Sequence, residues 1–311
     1  MLSFFSRQFC LFFASPSGLL FFKLRVSSRT FAVKIKIVVF FPFDLEIFSR
    51  MCYSFQRKMS SSTSSLPSLP GKAKPYVIAH RGNLVACPEN TIAAFNKAIA
   101  DGADILETDL HLTSDNEFVC IHDAAVDRTT NGSGEVAQLT LAQLKKLSAS
   151  CGRAEFKDER IPTLQEVIEL LPSDTALLLE LKTDRFLEEQ VGRRLVKILD
   201  NTGIRHRTIV GSFSFARIQM MQSVASDLLT GWLSMSSPFP KPGARVLGPF
   251  WPLLLLNPCY VRQAHARGQA VCPLDPKPDS RLWLYKCLNC DAVLTNNSEK
   301  TRRVLEKLSR Q

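Results

Sequence analysis

Two histidines, three carboxylates, an arginine and a lysine stand at the ends of apolar runs in this chain. His80 and Arg81 close the run Tyr76–Ala79, and Glu107 and Asp109 lie two apart in Asp104–Leu110. His122, followed by Asp123, closes Phe118–His122, and Glu180 and Lys182 close Ala176–Lys182. Residues two apart on a strand share a face. Three carboxylates brought together repel one another unless a cation joins them, and oxygen-only ligands suit a hard ion, Mg2+ or Ca2+. Arg81 and Lys182 beside that cation form a place for a phosphate or another oxyanion. Histidine titrates near neutrality, so His80 and His122 can serve as base and acid on opposite sides of a reacting phosphorus. Together these types point to metal-assisted cleavage of a phosphate ester. Singly, each has a plainer reading: a structural histidine, a solvated strand end, an ordinary Glu180–Lys182 ion pair. Their joint arrival at the ends of four apolar strands outweighs those readings.

The chain around them alternates short apolar runs with amphipathic stretches. The other strand candidates are Thr208–Ser212, Leu228–Leu233, Ala270–Leu274 and Asp291–Thr295. Helix candidates are Asn90–Ala100, Thr163–Leu171, Phe186–Leu199, Phe215–Ser223, Tyr260–Ala266 and Glu299–Leu308. Thr163 with Glu166 has the spacing of a capping box. This alternation implies an α/β fold with a parallel sheet, and eight strands in this length favour a closed (β/α)8 TIM barrel. In such a barrel all strand C-termini meet on one rim, where active sites sit. Asp127–Pro162 is long for a connection and reads as a small insertion over the rim, after the third strand. Pro238–Asn257 also breaks the rhythm. Its run Leu253–Leu256 reads as buried structure near the barrel wall, or alternatively as an exposed apolar lip for a lipid tail.

The net charge of +10 invites a polyanion or membrane reading, but its distribution does not support one for the folded domain. Residues 1–58 hold nine Lys/Arg against two acids, which leaves the rest of the chain a surplus of only three. Thirteen of the 21 Phe also lie between Phe4 and Phe55. Three readings of this segment stay open: an organellar transit peptide, a signal peptide or anchor, or initiation at Met51 or Met59. The last is favoured, because Phe clusters without period look like translated T-rich non-coding sequence, and Met59 would leave a chain of about the ~250 residues a barrel takes. Ser60–Pro75, rich in Ser, Pro and Gly, reads as a linker. Residues 1–75 are therefore expected as an N-terminal extension, a targeting segment or mis-assigned start plus linker, and residues 76–311 as the barrel domain. The nine cysteines show no disulfide framework, and Cys287-x-x-Cys290 lacks the further ligands a zinc site needs. Packing thiols in a reducing compartment are the expectation, hence a cytoplasmic enzyme. An organelle or secretion is the alternative if residues 1–58 act as a targeting segment.

The ordered runs His80-Arg-Gly82, Pro88-Glu-Asn-Thr-Ile-Ala-Ala-Phe95, Gly102-Ala-Asp-Ile-Leu-Glu-Thr-Asp109, His122-Asp123 and Arg128-Thr-Thr-Asn-Gly-Ser-Gly134 resemble the glycerophosphodiester phosphodiesterase family. Pro162-Thr-Leu-Gln-Glu-Val167, Leu179-Glu-Leu-Lys182, Gly211-Ser-Phe213 and Cys290-Asp-Ala-Val-Leu-Thr295 continue the likeness in order, so that it spans about Tyr76–Leu308. The resemblance implies a (β/α)8 barrel with a small insertion after the third strand. It implies Glu107, Asp109 and Glu180 as ligands of one divalent cation, Mg2+ or Ca2+. His80 would be the base, His122 the acid, and Arg81 and Lys182 the phosphate contacts. A free hydroxyl of the substrate glycerol would attack phosphorus, and the cyclic phosphate formed would be hydrolysed to glycerol 3-phosphate. One departure stands out: Val271-Cys-Pro-Leu-Asp275 replaces the Trp-Thr-Val-Asn-like stretch usual on the seventh strand. Trp232 or Trp251 is then left to supply an aromatic floor for glycerol, and Asp275 to contact substrate or, more ordinarily, to cap the next turn.

The leading expectation is therefore hydrolysis of small-molecule glycerophosphodiesters such as glycerophosphocholine. Nucleic acid is not an expected partner, and membrane contact is not favoured. The alternatives are a lysophospholipase D acting on membrane lysophospholipids, with Phe239, Phe250, Trp251 and Leu253–Leu256 as its apolar lip, and a non-catalytic phosphate-ligand binding barrel.

Overall fold

In a computed structural model of the chain, residues 66–310 are described throughout, together with the backbone of three strands among the first 65 residues. These strands, β1 (Arg7–Phe13), β2 (Leu20–Ser27) and β3 (Ala32–Ile37), form an antiparallel sheet in that order. The readings of residues 1–58 as a targeting segment or a late start otherwise lie outside the described residues. The chain divides into two units, Met1–Ser60 and Ser61–Gln311, and the second carries the chemistry-bearing residues.

That unit contains β4 (Tyr76–His80), β5 (Ile105–Leu112), β6 (Phe118–Cys120), β7 (Ala176–Leu181), β8 (Thr208–Ser212), β9 (Leu229–Ser234), β10 (Val246–Pro249), β11 (Ala270–Val271) and β12 (Ala292–Thr295). Eight of them run in the order β11-β10-β9-β8-β7-β5-β4-β12, each paired parallel to its neighbour. The two ends of this path meet at Asp291. Its N–H donates to the Val271 carbonyl at 2.9 Å, and its Oδ2 accepts from the Val271 N–H at 2.8 Å. The result is a nearly closed (β/α)8 barrel, as the alternation of apolar runs predicts. Outside it lie α1 (Ile92–Ala100), α2 (Leu141–Leu144, in the insertion), α3 (Leu164–Glu169), α4 (Glu189–Asn201), α5 (Phe215–Val224), α6 (Leu253–Leu256), α7 (Tyr260–His265), α8 (Leu282–Cys287) and α9 (Ser298–Arg310). Thr163 caps α3 through the full capping box with Glu166 that its spacing announced. No helix among the described residues is long and apolar enough to cross a membrane.

The strand assignment needs one correction. Phe118–His122, expected as a parallel barrel strand, contributes β6, which pairs antiparallel with β5 as the second arm of a hairpin. The turn closes through Thr113 N–H on the Glu117 carbonyl, with Asn116 in the left-handed region at φ 67°. The chain thus doubles back, and the Ile121 N–H returns to the Asp109 carbonyl at 3.0 Å. The eighth parallel strand is instead Val246–Pro249, between β9 and β11, inside the stretch read as irregular. Four residues ending in Gly-Pro carry too little period to announce a strand.

One face of the parallel strands fills the lower barrel with Tyr76, Ile78, Ile105, Ala176, Leu178, Ile209, Val246, Ala270 and Ala292. Leu66 and Leu69, from the stretch expected as a linker, pack into the same cluster. The insertion has a small core of its own, built on Val119, Ile121, Val126, Val136, Leu144 and Ile161. It is therefore a packed element that can hold side chains over the rim.

Candidate active site

The turn after β4 is forced by close packing against α1. Arg81 and Gly82 are both left-handed, at φ 57° and 84°. A Cβ on Gly82 would lie 2.6 Å from the Ala94 carbonyl carbon, so only glycine fits. The turn aims the Arg81 N–H at Oε2 of Glu107, 2.8 Å away. Asn90, also left-handed, donates through Nδ2 to Oδ2 of Asp109 at 2.9 Å and accepts from the Thr108 hydroxyl at 2.7 Å. The loop before α1 thereby orients the Asp109 carboxylate.

Register then assembles the carboxylates. Asp109 pairs with Glu180 across β5 and β7, and His80 pairs with Glu107 across β4 and β5. Glu107, Asp109 and Glu180 are buried, each with one oxygen within 4.8 Å of the others'. Burial, then Asp109 and Glu180, push the Glu107 carboxyl well above its ordinary range. Burial also raises Glu180. Asp109 stays below the usual range, since Lys182 and Arg81 outweigh its burial. The Lys182 ammonium lies 2.7 Å from Oε1 of Glu180 and 3.2 Å from Oδ1 of Asp109, and Arg81 Nε lies 3.2 Å from Oδ2 of Asp109. Oδ1 of Asp109 is buried and has the Lys182 ammonium as its ion-pair partner. Three buried, mutually repelling oxygen donors gathered at one place fit a divalent cation.

The two histidines sit in different surroundings. His80 Nδ1 lies 2.8 Å from Oδ1 of Asn296, so Nδ1–H donates and Nε2 keeps its lone pair. Burial, reinforced by Arg81, lowers the His80 pKa to about 4, which leaves the ring neutral at pH 7. His122 Nδ1 lies 2.6 Å from Oδ1 of Asp123. Arg128, bonded to the other Asp123 oxygen, holds that carboxyl well below its usual range. The His122 carbonyl lies 3.2 Å from Nε2 of His111.

All seven residues expected from sequence thus come to one end of the barrel, although His122 arrives on the returning arm of a hairpin. Five residues around them were not foreseen: Glu89, Asn90, His111 and Asn296, which bond them directly, and Arg128, which reaches His122 through Asp123. His111 had a signal, since it continues the alternation Glu107, Asp109 on β5. Glu89, Asn90 and Arg128 lie inside the quoted runs but were read as helix start and loop. Trp232 is not an aromatic floor: it shares the outer face of β9 with Thr230 and Ser234, edge-on to Phe215 with the Lys241 ammonium 5.0 Å away. The Trp251 ring is covered by the Arg281 guanidinium, 4.4 Å from its centroid. Asp275 is buried and caps its turn, accepting from the Lys277 N–H, Arg281 and the Tyr285 hydroxyl. Of the apolar lip, Leu253 and Leu254 are buried while Phe239 and Leu256 are exposed.

The other half of the rim is unlike the charged one. Gly211 and Gly231 take the inward positions on β8 and β9 level with Glu180 in register, and Gly248 stands two residues beyond that level on β10. Phe213 and Met235, beyond the ends of β8 and β9, are 44% and 54% exposed. Charged residues from β4, β5 and β7 therefore share the rim with an apolar half.

The model of the glycerophosphoryl diester phosphodiesterase family matches residues 80–300. A glycerophosphodiester phosphodiesterase of Caldanaerobacter subterraneus is 43% identical over 162 residues, which cover 51% of this chain and 67% of that protein. The glycerophosphodiester phosphodiesterase 1 of Rattus norvegicus is 39% identical over 143 residues, 44% of this chain and 43% of the relative. Among solved structures, a phosphodiesterase of Oleispira antarctica in complex with the product sn-glycerol-3-phosphate aligns with a TM-score of 0.66 at 28% identity, over 75% of this chain and 97% of that one. With its family match, its barrel and its buried acidic cluster, the chain belongs to the glycerophosphoryl diester phosphodiesterase family.

Proposed function

We propose that the barrel domain, residues 76–311, carries out the hydrolysis of glycerophosphodiesters to an alcohol and glycerol 3-phosphate through His80 and His122, with residues 1–75 outside the chemistry. His80 takes the proton of a free hydroxyl on the substrate glycerol as that oxygen bonds to phosphorus. The bond from phosphorus to the alcohol oxygen breaks, and His122 gives its proton to the leaving oxygen. Water then opens the cyclic phosphate with the two roles exchanged, as reversibility requires. Arg81 and Lys182 contact the non-bridging phosphate oxygens. Glu107, Asp109 and Glu180 would hold one divalent cation, Mg2+ or Ca2+, which supplies positive charge for those oxygens when bound. The observation that carries this reading is the state of His80. It is neutral and tied through Nδ1 to Asn296, so its free Nε2 is fit to accept a proton. Cys87, Cys120, Cys151, Cys259, Cys272 and Cys290 are free thiols, which supports a cytoplasmic setting.

The test is release of glycerol 3-phosphate from glycerophosphocholine by the full chain with Mg2+, with Ca2+ and with EDTA, beside His80→Ala and His122→Ala. Cation-dependent release, lost in either variant, is expected. Folded, cation-loaded protein that cleaves no glycerophosphodiester would overturn the reading in favour of a binding barrel.

The exposed Phe213 and Met235 favour a second reading, cleavage of lysophospholipids with the acyl chain laid on the apolar half of the rim. It requires a higher kcat/KM on lysophosphatidylcholine than on glycerophosphocholine, and a ratio that falls in Phe213→Ser and Met235→Ser.

A further inference from the structure

Arg128 belongs to the insertion, yet its hydrogen bonds reach back to the catalytic rim. Its Nε donates to Oδ2 of Asp123 at 2.5 Å. Nη1 and Nη2 donate to the two oxygens of Glu89, each at 2.8 Å. Glu89, in the loop before α1, also accepts from Arg81 Nη1 at 3.1 Å. Asp123 in turn holds His122 through Nδ1 at 2.6 Å. An unbroken series of charge-assisted bonds therefore runs from His122 through Asp123, Arg128 and Glu89 to Arg81.

The geometry needs a guanidinium. The fork of two N–H groups on Glu89 fixes the plane of the Arg128 head, and that plane sets the direction of the Nε–H toward Asp123. A lysine at this position offers one point charge and no fixed plane. The insertion supplies the base from which Arg128 reaches. Thr130 N–H is bonded to the Val126 carbonyl, the Asn131 N–H to the Ser148 carbonyl, and Val126 sits in the insertion core. Glu89 and Asp123 are both drawn below the ordinary carboxylate range by this arginine, although burial works against the shift in Glu89. Both stay ionised acceptors across the neutral range.

We propose that Arg128 is a positioning residue for His122: locked on Glu89, it orients Asp123 so that Asp123 holds the His122 ring with Nδ1–H outward and Nε2 toward the leaving oxygen. Arg128 touches no reacting atom in this account and acts only through Asp123. The inference rests on the reading of His122 as the proton donor. It gives the insertion a part in the reaction, since the residue that fixes the acid is anchored there.

A leaving group that needs no proton exposes this role. Two substrates are compared in single turnover, glycerophosphocholine and the p-nitrophenyl ester of glycerol 3-phosphate, with the cation-loaded full chain. Nitrophenolate departs without protonation, so loss of the acid should cost little there. Arg128→Ala and Arg128→Lys are each expected to slow choline release by about tenfold to a hundredfold with KM little changed, and nitrophenolate release by under about threefold. Guanidinium added to Arg128→Ala should restore part of the choline rate, and Asp123→Asn should show the same split without adding to the effect of Arg128→Ala. Retained nitrophenolate release also shows that the variant is folded. His122→Ala is the reference: if it lacks the split, the acid reading of His122 fails. If it shows the split and the Arg128 variants lose both substrates equally, or lose chiefly KM, the positioning role is overturned and Arg128 is a phosphate contact or a structural tie.

Discussion

The side-chain oxygen of Asn296, just past the end of β12, lies 2.8 Å from Nδ1 of His80 at the end of β4. The two strands are neighbours in the barrel, so closure of the sheet places this acceptor. It selects the ring tautomer in which Nε2 is unprotonated. Asn296→Leu removes the acceptor at similar volume and leaves the tautomer unset. We expect kcat to fall by about tenfold to a hundredfold with KM within about threefold. Nitrogen-15 chemical shifts of His80 should lose the Nδ1–H pattern. Unchanged kcat with an unchanged spectrum would remove Asn296 from the base's support.

The depressed pKa of His80 has a sign that can be checked. Burial and Arg81 keep the folded ring unprotonated down to about 4, whereas the unfolded ring takes a proton from the ordinary 6.5. Between those values the unfolded state binds more protons, so stability falls as pH drops from 6.5 to about 4. For a group this buried the full loss is roughly 3 kcal/mol. His80→Gln cannot protonate, so its stability should fall less than the wild type's across that window. Denaturant titrations at pH 7 and pH 4.5 measure the difference, and equal losses in both proteins would contradict it. The activity of the wild type should hold into mildly acidic solution, since the base remains free.

The acidic cluster makes a prediction about the protein without its cation. Glu107 is raised by burial and by its two acidic neighbours, so the three carboxylates oppose one another. Glu107→Gln removes one charge and one ligand together. Without cation it should melt no lower than the wild type. Added Mg2+ or Ca2+ should raise the wild-type melting temperature but leave the variant nearly unmoved. Cation-induced shifts of equal size would place the cation elsewhere.

Much of this site was legible in sequence because strand periodicity is short. Glu107 and Asp109 share a face by their spacing alone, and Glu180 with Lys182 repeats the pattern. The eight-strand count was right while its membership was not. Phe118–Cys120 has the apolar content of a barrel strand, but the Asn116 turn, only a few residues after β5, leaves no room for the crossover that a parallel partner needs. Val246–Pro249 is buried through its pairing with β9 and β11, a long-range fact that four residues cannot carry. The roles of Asn296 and Arg128 were not legible for a related reason. Their partners lie 216 and 39 residues away for His80 and Glu89, and only the closed barrel and the folded insertion bring them together.

Two glycines separate backbone strain from site geometry. Gly203, between α4 and β8, has φ 70° and nothing within 4 Å of where a Cβ would stand. Gly203→Ala should therefore cost only the left-handed conformation, about 1 kcal/mol, and leave activity unchanged. Gly82 has φ 84°, and its Cβ would meet the Ala94 carbonyl carbon at 2.6 Å and oxygen at 2.7 Å. Those atoms belong to the backbone of α1 and cannot rotate away. Gly82→Ala should add an overpacking cost of roughly 1–3 kcal/mol, with each kcal/mol lowering the melting temperature by about 2–4 °C in a domain of this size. The larger effect falls on chemistry, because the same turn carries His80 and Arg81. A displacement of about 1 Å there can cost about a hundredfold in rate. The expected result is a Gly82→Ala protein that is still folded at 25 °C with kcat reduced by about that factor, beside a Gly203→Ala protein with wild-type kcat. If both variants lose stability equally and neither loses rate, the close approach of α1 to this turn does not set the position of the base.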